Sequence, residues 1–190
     1  MSDGSEIVPN PVFNATDCVG LTRRLAFIEL MELLEFSVLR LDPPSAGLSP
    51  APLTELIGTQ DWRLAEGGEA PPSSAERDED HAVYIYSTTD ALREAVLPAE
   101  DTLVRLDSAA AVSGDSLPSA PDMHGVRLSA SARGPQTWPR VQTRARRPTL
   151  RVDLTRLLSR VVVPAARPHH MFELVQSVVR SRVWIDVVRA

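Results

Sequence analysis

Residues 18–41, CVGLTRRLAFIELMELLEFSVLRL, decide how the fold is read. From Leu25 to Leu41 most positions are apolar, and at about 100° per residue their arc covers more than half of a helical circumference. Thr16 and Asp17 stand before the run as candidate caps, and Asp42-Pro43-Pro44 stops it. The pattern predicts one long hydrophobic helix from Cys18 to about Leu41, with 21–41 as a contact region covered on more than one side. Glu29, Glu32 and Glu35 recur every three residues and form its polar stripe.

Working outward, Leu53–Gly58 reads as a short helix that Pro52 could start. His81–Tyr86 alternates as a strand, with Val83 and Ile85 on one side and Tyr84 and Tyr86 on the other. Ser87-Thr88-Thr89-Asp90 supplies caps for a helix around Ala91–Val96. Leu103–Leu106 reads as a strand. Gly125–Ala132 and Leu150–Leu154 read as two more that could pair with each other across the Gly134-Pro135 region. Residues 155–163 fit helix or strand. Pro168 opens a helix from His169 to about Arg182, with Phe172, Val175, Val178 and Val179 on its apolar face, and Val183–Val188 reads as a closing strand.

The expected class is α+β: a long hydrophobic N-terminal helix packed on a small, mostly antiparallel sheet, with long Pro-rich loops. Residues 1–11 read as a flexible arm and 12–190 as a single domain with flexible insertions near 65–80 and 113–124, where Gly, Pro and Ser gather.

With 190 residues, 43% hydrophobic and 24% charged, the chain can bury a core without disulfide or metal staples. All 20 basic residues are arginine and only two are asparagine, as codon usage in a GC-rich genome would give. The lone cysteine, Cys18, excludes an intramolecular disulfide and a zinc site built on cysteine pairs. The start, MSDGSEIVPN, has neither the basic residues nor the apolar core of a secretion signal, and no apolar window is long enough to span a membrane. The expectation is an intracellular protein, cytoplasmic or within a viral or phage particle.

Charge is unevenly distributed. Residues 1–101 carry 19 acidic side chains and 6 arginines, a net of −13, while residues 102–190 carry 6 and 14, a net of +8, giving −5 for the chain. The basic stretch runs from Arg127 to Arg167, opposed only by Asp153. Arg140, Arg144, Arg146, Arg147 and Arg151, with Trp138 beside them, are its candidate contact set. They could grip a polyanion through guanidinium forks, dock on an acidic protein face, or lie in solvent.

No phosphate-binding glycine loop, nucleophile elbow or HExxH sequence is present. His169 and His170 are neighbours and point about 100° apart on a helix, so they do not share a metal, although His170 and Glu173 could face the same way. Cys18 reads as a small buried residue, and the glutamate stripe as the wet side of a helix. No catalytic, cofactor or metal residue is assigned. The expected role is a non-enzymatic interaction or assembly subunit with a protein partner or a second copy. The alternatives are a nucleic-acid-binding accessory protein using residues 127–167, and a small enzyme without a recognisable motif.

Overall fold

The apolar run of residues 18–41 is not one helix but three elements. In the computed structural model, which describes residues 19–43, 54–65, 82–100, 102–110, 123–133 and 148–190, strand β1 (Gly20–Leu25) leads into helix α1 (Phe27–Phe36) and strand β2 (Val38–Arg40). Two residues make the breaks. Ala26 is extended, at φ −64° and ψ 151°, and its N–H donates to Glu29 Oε2 at 3.1 Å. Ser37 sits in the left-handed region, at φ 53° and ψ 48°, and turns the chain out of the helix. The wide apolar arc thus belongs to two strands and a helix that each bury one side. Glycine is the usual residue at such a helix end. Ser37→Gly is therefore expected to stabilise the fold by about 0.5–1 kcal/mol, read as a raised denaturation midpoint. An unchanged or lowered midpoint would argue against the left-handed turn.

The remaining elements follow as β3 (Thr54–Leu64), β4 (Val83–Thr88), α2 (Thr89–Ala95), β5 (Val96–Leu97), β6 (Thr102–Ala110), β7 (Met123–Arg133), β8 (Thr149–Val152), α3 (Leu154–Leu157), β9 (Arg160–Val163), α4 (His169–Arg182) and β10 (Asp186–Arg189). Seven strands form a sheet in the order β10-β9-β4-β1-β3-β7-β6, and β2-β8-β5 form a second sheet. Among the described residues every strand pairing is antiparallel except β9–β10, whose parallel register is bridged by α4, as a parallel connection requires. The class is α+β and mostly strand. Among the described residues, 19–41 form no single long helix, and the sheet is large.

The helix expected at Leu53–Gly58 is instead the start of β3, which pairs with β7 along its length. The proposed pairing of the Gly125–Ala132 and Leu150–Leu154 segments also fails, since β7 and β8 lie in different sheets. Residues 155–163 divide between α3 and β9. The expected arm at 1–11 and most of the expected insertions, 66–80 and 113–122, lie outside the described residues.

The core lies on one face of the large sheet. Leu21, Trp62, Ile85, Leu128 and Val161 from five strands meet Leu30 and Leu33 of α1, Leu92 of α2 and Val175 and Val179 of α4 in one cluster. Tyr84, Tyr86 and Val162 form a separate cluster, as the alternation along β4 predicts. Thr88 caps α2, accepting from Ala91 N–H at 3.1 Å. The buried Gln60 ties the two sheets: its Nε2 donates to Arg40 O of β2 at 2.7 Å, and its Oε1 accepts from Trp62 Nε1 at 2.9 Å. Among the described residues no helix is long and apolar enough to cross a membrane.

Candidate contact surface

Of the five arginines singled out in the sequence, Arg140, Arg144, Arg146 and Arg147 lie outside the described residues, as does Trp138. Arg151 is exposed on β8, in register with Val38 and Leu97. Other arginines of the stretch are engaged within the fold. Arg127 grips Asp61 in a fork, Nε to Oδ1 at 2.7 Å and Nη2 to Oδ2 at 3.0 Å. That hydrogen bond raises the guanidinium above its ordinary value, against a smaller effect of burial. Arg160 lies over the Tyr86 ring, 4.4 Å from its centroid. Arg156 pairs with Asp153 at 3.5 Å. Asp153 also caps α3, accepting from Thr155 Oγ1 at 2.6 Å and Thr155 N–H at 3.0 Å. These bonds, the hydroxyl's first, hold its carboxyl below the usual range.

The glutamate stripe divides among three structural tasks. Glu29 caps the start of α1, Glu32 pairs with Arg40 of β2, and Glu35 pairs with Arg182 of α4. It is His169, not His170, that reaches Glu173, at 3.4 Å; an i, i+4 spacing brings the two over one another. His169 also stacks on Phe172. Cys18 lies outside the described residues. Among the described residues no group of three or more His, Cys, Asp or Glu side chains could hold a metal ion.

The sequence reading places a contact region at 21–41, which holds α1; what it misses is that the open surface continues onto α4 and Trp184. Met171, Val175 and Val179 recur every four residues and anchor α4 on the core. Phe27, at the start of α1, and Leu174, in the first half of α4, line one cleft, while Glu35 and Arg182 join the far ends. The two helices therefore run side by side in the same direction. The cleft holds about 190 Å³ and is lined by Phe27, Pro168, His170, Met171 and Leu174. Large apolar groups lie open near it and beyond: Ile28 is 61% exposed, Phe36 67%, Leu174 48% and Trp184 90%. Leu97 and Val188 are open as well.

Trp184 follows α4 in extended chain. Val183 points inward, 5% exposed, and the alternation turns Trp184 out. The sequence signal was present in that alternation, but the β-branched run around Trp184 reads only as a closing strand, which does not say which of its side chains stay open. A second hollow, about 380 Å³, opens between α2–β5 and β6–β7, with Leu92, Val96 and Leu128 at its floor and Arg93 and Thr102 as polar lining groups. Arg93 is already paired with Asp90 at 3.1 Å.

Compared with known proteins, the chain matches no family model, no curated protein and no solved structure.

Proposed function

We propose that this chain is a non-enzymatic interaction subunit of a larger protein assembly, and that it docks through the surface of α1, α4 and Trp184. The observation carrying the proposal is Trp184, 90% exposed beside a helix pair that also leaves Ile28, Phe36 and Leu174 open. A tryptophan buries roughly 150–250 Å² when covered, worth about 4–6 kcal/mol before the costs of association. Single exposed apolar residues are ordinary; an open tryptophan just past the end of a helix that lines an apolar cleft has the anatomy of an interface anchor. The side chains that could have served chemistry support the same reading. The three glutamates, Arg127 and Asp153 are used in holding elements together.

Site-specific photo-crosslinking in the cells that make the protein tests the proposal. A benzophenone side chain at position 184 or 28 should give discrete protein adducts, whereas one at the exposed Arg63, on the sheet, should not. Equal labelling at all three positions, or none at 184 and 28, would remove the docking role.

A further inference from the structure

The exposed side of α4 has a self-complementary order. Met171, Val175 and Val179 face the core, and on the opposite side the helix presents His170, Glu173, Ser177 and Arg180, all exposed. The apolar cleft that His170 lines sits at the N-terminal end, and Trp184 stands just past the C-terminal end. Fourteen residues of helix separate them by about 21 Å, so a molecule cannot place its own tryptophan in its own cleft.

We propose that the occupant of the cleft is Trp184 of a second copy of this chain, in a twofold dimer built on antiparallel α4 helices. This identifies the partner for the docking surface proposed above and rests on that reading. Three observations converge on it. First, Ser177 lies midway between His170 and Trp184. A dyad passing beside Ser177 sets the α4 end that carries Trp184 against the cleft end of the other molecule's helix, and both contacts form at once, as an isologous interface requires. Second, the same dyad sets Glu173 within one residue of level with Arg180 of the other copy, twice over. Glu173 is exposed and reaches His169 along the helix at 3.4 Å, and Arg180 is open at the basic end of the helix. Charge therefore favours the antiparallel order and opposes the parallel one, as do the helix dipoles. Third, the residue at the crossing point is small, which lets the helices approach to the ~8–10 Å of packed pairs. The cleft's volume of about 190 Å³ admits a large aromatic side chain.

Two helices and two tryptophans bury an area near the lower end of specific interfaces, about 1,200 Å² in total. The dimer should therefore be concentration-dependent rather than permanent.

Sedimentation equilibrium of the full chain over a wide concentration range tests this. The wild type should fit a monomer–dimer equilibrium. Trp184→Ser and Ser177→Arg, both at exposed positions, should each weaken dimerisation by about tenfold or more while leaving circular dichroism and the melting temperature unchanged. Glu173→Arg alone should weaken it by placing like charges across the dyad, and adding Arg180→Glu should restore it to within about threefold. A monomer at every concentration would overturn the proposal, as would a dimer indifferent to Trp184→Ser and Ser177→Arg, or a double charge exchange that fails to restore pairing. The two readings fail separately. Crosslinks from position 184 to a different protein, with no self-adduct and a monomeric chain, remove the twofold dimer and keep the docking role. An absence of crosslinks from 184 and 28 removes both.

Discussion

Trp62→Ala should be among the most damaging single substitutions in the described residues, costing about 3–5 kcal/mol. Trp62 is 1% exposed near the C-terminal end of β3, on the face that meets α1 and α4. Its removal opens a large cavity among side chains from several elements, which cannot all close in. It also strips Gln60 Oε1 of its donor, and Gln60 is itself 1% exposed. An unsatisfied buried acceptor adds to the cavity cost. Because Gln60 Nε2 also donates to Arg40 O, the damage should spread to the join between the two sheets. For a domain of this size the loss corresponds to roughly 6–20 °C in melting temperature. Trp62→Phe keeps most of the packing and loses only the indole donor, so it should cost about 1–2 kcal/mol. Equal effects of the two substitutions, in thermal or denaturant melts, would show that the hydrogen bond rather than the packing dominates.

Gly125→Ala should rival it. Gly125 lies opposite Arg63 in the β3–β7 ladder and opposite Ala109 in the β6–β7 ladder, just where the latter register shifts. A Cβ at this position would stand 2.1 Å from Trp62 O and 3.2 Å from Trp62 C. Both are backbone atoms in a paired strand, so no side chain can swing aside and the strands must separate. The expected cost is about 3 kcal/mol or more, with loss of soluble protein as the alternative outcome. Gly20→Ala is the control. Its Cβ would meet Ala65 Cβ at 3.4 Å, an ordinary contact, and it should melt within a few degrees of the wild type. A Gly125→Ala protein with the wild-type midpoint would mean that the register of β3 on β7 is other than described.

Several elements were legible from local chemistry because each carries its own signal. Pro168 and the spacing of Val175 and Val179 mark α4, whose bounds, His169–Arg182, match the expected ones. Alternation marks the two faces of β4, and Thr88 caps α2 as its place at a strand end suggests. The N-terminal run was misread because its breaks have no sequence mark. Ala26 and Ser37 are neither glycine nor proline, and their conformations answer to the packing of Leu21, Leu25 and Leu39 against the core. Strand β3 was misread for a related reason. Pro52 and the short apolar group Leu53–Ile57 resemble a helix start, and only the partner strand β7, some seventy residues on, selects the extended form. The open apolar surface was only half legible: the run at 21–41, which holds α1, reads as a contact region, and Trp184 does not. Arginine density drew attention to the 127–167 stretch, but several of its arginines serve the fold itself, at Asp61, Asp153 and Tyr86. Exposure of Trp184 depends on which way an extended residue points, and that follows from the burial of Val183 beside it.

The most direct measurement is the solvent reactivity of Trp184 in the assembled protein, read residue by residue from hydroxyl-radical footprinting of the full chain at low and high concentration. If the α1–α4 surface is a contact face that a second copy covers, oxidation of Trp184 and Leu174 falls as concentration rises, while Trp62 stays protected throughout. Trp184 oxidised at the same high rate across the range, and in extracts that contain the protein's natural neighbours, would contradict it.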